Sequence, residues 1–249
     1  MSNNKHFEQG GANYALSRPT YPASLAVERA NLCAQKNHAV DIGCGTGQLS
    51  VLLASQFENV TALDPSASQI ENAQQHLSVE YGVHSAEDTG IDDASADLVV
   101  AAQAAHWFDL DKFYTEVERI IRPNGILALI CYGVPELEGI IGKRFDKFYW
   151  EDIYHFWPKG RKHVERGYYD LDFPFKEFAL NPLAIERAWN RDQFLNYIDT
   201  WSAKRKAEEV GDLALFQAYA EELASTWPDD QTHTIRWPIA TRITRIAGT

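Results

Sequence analysis

Between His38 and Gly133 the chain repeats one pattern, a short apolar run followed by a turn or a segment of helical spacing. The runs are HAVDIG, VTALD, VEYGVHSA, ADLVVAAQ and GILALICYG; the helical segments are QLSVLLASQF, SASQIENAQQHLS and DLDKFYTEVERIIRP. Strands alternating with helices at this rhythm predict parallel pairing, because a parallel neighbour needs a crossover long enough to hold a helix. The runs are almost continuously apolar, as strands buried on both faces must be. The expected fold class is therefore α/β, a doubly wound, Rossmann-like, mostly parallel sheet.

The flanks have a different character. Residues 1–22 are polar and read as a loop or short helix, and 23–36 as a helix. After Gly133, residues 134–174 are rich in aromatics, among them Phe145, Phe148, Tyr149, Trp157 and Tyr168. This segment reads as a helical insertion, and 191–227 as a second helical, amphipathic one. The end, THTIRWPIATRITRI, alternates as an antiparallel last strand would, with FKEFALNP as its expected partner. No linker divides the chain, so 1–249 is expected to be one domain, with 134–174 and 191–227 as cap segments.

The strongest local signal is Asp41-Ile42-Gly43-Cys44-Gly45-Thr46-Gly47. It ends one predicted strand and opens a helix, where glycines let the backbone approach a ligand. The next strand ends at Asp64, where a carboxylate can accept from both hydroxyls of a ribose. Loop and acid together imply a nucleoside-containing ligand outside the carboxyl ends of the strands. The spacing is G-x-G-x-G, with Gln48 where a pyrophosphate-binding loop has its third glycine. A carboxylate at Asp41 would repel a pyrophosphate but suits a ligand bearing an ammonium and a sulfonium. These residues favour S-adenosylmethionine over NAD, and an NAD-dependent oxidoreductase stays as the alternative. Asp41 could instead cap the following helix. Asp64 could cap the helix near Ser66, which does not conflict with ribose binding.

The net charge of −12 argues against nucleic acid as a partner. Cys33, Cys44 and Cys131 have neither disulfide nor metal-ligand spacing, so no metal and a reducing compartment are expected. The first residues hold no apolar signal segment and no run is long enough to span a bilayer, so the expected location is the cytoplasm, without membrane contact.

With these motifs the chain resembles the class I methyltransferases, especially the small-molecule group called type 11. DIGCGTG is similar to that family's first motif and ALDPS to its second. Ser85-Ala86-Glu87 stands where the family contacts adenine, with Ser85 in place of the usual aspartate. Asp97-Leu98-Val99-Val100 running on to Gln103 resembles the fourth motif, and Arg122-Pro123-Asn124-Gly125 a shortened form of the family's R-x-L-K-P-G-G turn. Tyr14-Ala-Leu-Ser-Arg18-Pro19-Thr20-Tyr21-Pro22, Ala104-Ala105-His106-Trp107-Phe108 and the terminal WPIATRITRI look like the trans-aconitate methyltransferases.

The resemblance implies transfer of a methyl group from S-adenosylmethionine to a small molecule, a carboxylic acid among the candidates, with S-adenosylhomocysteine as product. It also implies cofactor contacts from Tyr14, Arg18, Asp41, Gly43, Gly45, Gly47, Asp64, Ser85, Ala86, Glu87 and Gln103. His106 is the candidate base or substrate ligand, or else a loop-orienting residue. Trp107 is an aromatic wall for the substrate, or packing. Arg18 holds the cofactor carboxylate, or lies exposed in a turn. The basic residues of the insertion, Arg161 among them, could attract an anionic substrate or form a solvated face. A protein that binds the cofactor without catalysing transfer is the non-enzymatic alternative, and the oligomeric state is left open.

Overall fold

The computed structural model describes residues 18–247; the predicted cofactor residue Tyr14 lies outside them. Helix α1 (Ala23–Ala30) leads into strand β1 (His38–Ile42). Then follow α2 (Gln48–Leu53), β2 (Asn59–Leu63), α3 (Ala67–Glu71), β3 (Val79–Gly82), β4 (Ala96–Ala102), α4 (Leu110–Ile120) and β5 (Ile121–Tyr132). Five of these strands pair in parallel in the order β3-β2-β1-β4-β5. Strands β6 (Leu183–Trp189) and β7 (His233–Arg245) extend the sheet beyond β5, with β7 antiparallel to both neighbours. The predicted α/β sheet with an antiparallel last strand is the observed one.

Three local readings change. The partner of the last strand is β6, not FKEFALNP, which contributes only an isolated Glu177–Thr244 bridge. Pro182 has no N–H for a ladder, and the register starting at Leu183 sets buried Ile185 opposite buried Trp237. The segment SASQIENAQQHLS forms only the five-residue α3, because none of the helix's side chains is buried and short helices draw their stability from a packed face. Helix α4 ends at Ile120 rather than running up to Pro123, since Ile121 already pairs with Ala96 as the first residue of β5.

Both insertions are helical and share one apolar interior. The first holds α5 (Gly139–Lys147), a π-turn at Phe148–Asp152 and α6 (Arg161–Glu165). The second holds α7 (Arg191–Asp199), α8 (Ser202–Glu209) and α9 (Ala214–Thr226). The rings of Phe148 and Tyr219 stack with centroids 3.9 Å apart, joining the two insertions. Most of their buried aromatics run without a break into Leu98, Ile126 and Ile130, whereas Tyr168 and Phe173 join the cluster of Val99, Leu127 and Leu129. No helix among the described residues is long and apolar enough to cross a membrane.

Candidate functional site

The sheet order places β1 between β2 and β4, so the chain leaves β1 in opposite directions on its two sides. Crevices form at such a switch point, outside the carboxyl ends of the strands. The glycine loop and the β4 end meet there. The Gly43 and Cys44 N–H groups both donate to the Leu63 carbonyl, at 2.7 and 3.0 Å, which pins the loop to the end of β2. Gly43 has φ +73°, and a Cβ on it would overlap the Cβ of Ala104 in the loop after β4. The two loops approach this closely only because Gly43 has no side chain. Gly43→Ala is expected to cost about 2 kcal/mol through strain and overpacking. A thermal melt should then fall by roughly 4–8 °C, and an unchanged melt would mean that Ala104 gives way freely. Gly47, with φ +79°, is held likewise against the Tyr81 ring, whereas nothing comes nearer than 3.9 Å to a Cβ built on Gly45.

Asp64 is the clamp of this loop. One carboxylate oxygen accepts from the Gly45 N–H and the other from the Ser66 N–H, both at 2.9 Å. Ser66, not Asp64, caps α3. Burial pushes the Asp64 carboxyl up, and its two backbone donors pull against that shift. Each oxygen has a second lone pair for a further donor.

Asp41 does not cap α2 either. It is 1% exposed, and one oxygen accepts from the Ser50 hydroxyl at 2.6 Å. The other oxygen is buried without a hydrogen-bond partner. Burial pushes this carboxyl up to about 7, with the Ser50 bond opposing the shift and Asp64 adding to it. A buried carboxylate oxygen left unpaired is costly. Its position beside the open Gly45 turn fits a cationic ligand group, and disfavours an anionic one. The residues present therefore fit S-adenosylmethionine: Asp41 offers an unpaired acceptor oxygen to an ammonium, and Asp64 has spare lone pairs for the hydroxyls of a ribose.

The remaining predicted cofactor residues are tied into the protein in different ways. Gln103 sits in left-handed backbone at φ +58°. Its N–H donates to Ile130 and its side-chain amide to the Tyr132 carbonyl at 3.0 Å, so it knits the end of β4 to β5. Strained backbone of this kind concentrates at functional sites. Ser85 forms a bridge with Asp88, and Ala86 is buried. The Glu87 carboxylate accepts from the Asp109 N–H at 2.9 Å, at the entry to α4. Arg18 donates to the Thr200 hydroxyl at 3.1 Å and to its carbonyl at 3.3 Å, which ties the segment before α1 to the end of α7.

His106 and Trp107 lie on the loop beyond Gln103 with rings 4.9 Å apart; Trp107 is 44% exposed. The His106 Nδ1 is 2.9 Å from the Tyr168 hydroxyl. Sequence reasoning gave Tyr168 no role beyond its place in an aromatic segment. Its signal was the preceding Gly167: both residues have positive φ, +62° and +65°, and together they turn the tyrosine inward. Burial first, then the charge of Arg161 and the nearby His163, holds His106 down at about 4. It is therefore a neutral group near neutrality and a weak base, unlike a free imidazole. No three His, Cys, Asp or Glu side chains among the described residues gather as a metal site would require.

Comparison with known proteins agrees with this architecture. Residues 40–129 match the family model described as a methyltransferase domain. A Dictyostelium discoideum protein named as a methyltransferase is 32% identical over 219 residues, covering 86% of this chain and 83% of its own length. A Saccharomyces cerevisiae protein named as an S-adenosylmethionine-dependent methyltransferase is 32% identical over 142 residues, 53% of this chain and 48% of its own length. Among solved structures, one described as a type II methyltransferase from Anaeromyxobacter dehalogenans superimposes with a TM-score of 0.87 at 40% identity, covering 93% of this chain and 99% of that one. A relative matched over most of both chains makes the chain a member of the class I S-adenosylmethionine-dependent methyltransferases.

Proposed function

We propose that this methyltransferase acts on a small organic acid. Asp41 carries the cofactor half of this reading, through its buried oxygen that lacks a partner and waits on a cation. S-adenosylmethionine supplies a sulfonium methyl that passes to a nucleophilic oxygen, the C–S electron pair leaving with S-adenosylhomocysteine. Asp41, Asp64 and the open turn at Gly45 hold the nucleoside. Glu87 and Ala86 flank its base, and Arg18 holds its carboxylate. His106 and Trp107 face the acceptor.

The state of His106 supports a carboxylate acceptor. A phenol or ammonium would have to lose a proton, and a histidine held at about 4 is poorly matched to take it near neutrality. A carboxylate arrives ionised and asks for no base. Positioning and exclusion of water are then the protein's main contributions. The resemblance of the His106 and Arg18 segments to the trans-aconitate methyltransferases points to the same acceptor class. The test is to incubate the protein with S-adenosylmethionine and panels of acids, phenols and amines, and to follow S-adenosylhomocysteine. Turnover confined to the acids is the expected result; turnover with amines alone would overturn the acceptor class. Stabilisation by NAD and not by S-adenosylhomocysteine would overturn the cofactor.

The titration of Asp41 gives a second expectation. In the free protein Asp41 holds a proton below about pH 7, and a ligand ammonium requires it ionised. Affinity for S-adenosylhomocysteine should therefore be full above pH 7 and fall about tenfold per unit below it. Asp41→Asn should bind more weakly at pH 8 and flatten that slope. Calorimetric titration between pH 5.5 and 8 measures it, and an affinity independent of pH in the wild type would remove Asp41 from the ammonium's site.

A further inference from the structure

Near His106 stands a cation whose terminal nitrogens are not engaged by the described residues, and near Tyr132 a buried hydroxyl that makes no hydrogen bond. Arg161 is largely buried, its side chain 16% exposed. Its guanidinium lies over the Trp157 ring, 4.7 Å from the centroid, and its Nε donates to the Tyr149 hydroxyl at 2.8 Å. Glu165 stands 3.6 Å from the same Nε and accepts from the Tyr149 and Tyr154 hydroxyls, so the counter-charge sits on one side of the guanidinium. The two terminal nitrogens make no hydrogen bond to any described residue, and neither is sealed from solvent. The backbone of the preceding residue abuts the turn that carries His106: a Cβ on Gly160 would lie 3.6 Å from the His106 ring. The charge of Arg161 is felt at His106, Tyr168 and Cys131, which places it toward the carboxyl end of β5.

Tyr21 approaches the same region from the segment before α1. It is 8% exposed, and its ring meets Tyr132 edge-on at 5.9 Å. Its hydroxyl is buried and makes no hydrogen bond. Tyr132, Tyr168, Cys131 and Asp41 all act on it electrostatically, so it lies between the acid of the glycine loop and the residues facing the cap. A buried hydroxyl without a partner is rare and calls for an explanation. A guanidinium stacked on an indole is fixed in plane, and its open edge matches the two oxygens of a carboxylate.

We propose that Arg161 and Tyr21 are the acceptor-recognition pair: the open edge of Arg161 grips an anionic carboxylate of the acceptor, and the unpaired hydroxyl of Tyr21 donates to that same molecule. This rests on the methyltransferase reading with an organic acid as acceptor, and it names the residues that select the charge. Neither residue forms a hydrogen bond to Gly45, Asp64 or Asp41, and Tyr21 is coupled to Asp41 only electrostatically. Removing either should therefore weaken the acceptor and spare the cofactor.

The experiment is calorimetric titration of the full chain, saturated with S-adenosylhomocysteine, with succinate, citrate, benzoate, phenol and benzylamine. At least one carboxylate should bind, and phenol and benzylamine should not. Arg161→Gln should weaken that carboxylate at least about thirtyfold, the scale for truncating one partner of a buried charge pair. Arg161→Lys should fall between, since it keeps the charge and loses the fork. Tyr21→Phe should weaken it about tenfold, as for one hydrogen bond to a charged group, with an unchanged melting temperature. A structural role alone would leave binding as in the wild type. Tyr21→Phe keeps the ring packing and so carries the test by itself if Arg161→Gln does not fold. Absence of carboxylate binding, preference for the neutral or cationic probes, or wild-type binding in Tyr21→Phe would overturn the proposal. Failure of the wild type to bind S-adenosylhomocysteine at all would instead overturn the reading beneath it.

Discussion

Asp64→Ala is expected to raise the dissociation constant for S-adenosylhomocysteine at least about a hundredfold with little change in stability. Two hydrogen bonds from ribose hydroxyls to an ionised carboxylate are each worth about 1.5–3 kcal/mol. Their sum exceeds the roughly 2.8 kcal/mol that a hundredfold change in affinity requires. The substitution also releases the Gly45 N–H from its 2.9 Å bond and frees the turn that the ligand must meet. Stability should move little because the loss of these backbone bonds is offset by removal of a carboxyl that burial already disfavours in its charged form. Equilibrium dialysis with the nucleoside, beside a thermal melt of the free protein, separates the two effects. Wild-type affinity in the variant would show that Asp64 only clamps the loop.

Trp201→Ala is expected to destabilise the protein by about 3–5 kcal/mol, lowering the melting temperature by roughly 6–20 °C. Trp201 is 2% exposed and packs its ring against Phe145, Tyr149, Trp157 and Tyr197, with centroids 5.2–6.2 Å away. It thus joins α5 and the π-turn to α7, and its cluster continues into the sheet through Ile126 and Ile130. We therefore propose that residues 1–249 fold as one domain. Circular dichroism and tryptophan fluorescence should report one coincident transition in both wild type and variant. An early fluorescence transition, with the sheet melting separately, would show the cap to be an independent unit. Trp157, on which Arg161 stacks, leans on Trp201, so the variant should also lose acceptor affinity more than cofactor affinity.

Much of the site was legible before the structure because its parts are local. The glycine loop, Asp41 and Asp64 fall at strand ends that the alternation of apolar runs marks directly. Their meeting follows from parallel pairing alone, since neighbouring parallel strands present the same ends together. Two roles were legible only in part. Glu87 stood out as an acid near the adenine position, but its bond to the Asp109 N–H depends on where α4 begins. Gln103 looked free for ligand binding, yet its amide and its strained backbone also tie β4 to β5.

The sequence by itself determined the layered sheet, the glycine loop and the acid beside it, and the division between a sheet and an aromatic cap. These depend on period, glycine placement and charge within a few residues of each other. Only the tertiary structure decided that β6 starts after Pro182, that burial beside Tyr168 lowers the proton affinity of His106, that Arg161 stacks on Trp157, and that the Tyr21 hydroxyl is buried without a hydrogen-bond partner. Burial and the sum of surrounding charges set a histidine's proton affinity, and both come from residues distant in sequence. Whether an arginine is a solvated surface charge or an open fork in a pocket depends on what stacks beneath it, and no local pattern in the chain encodes that.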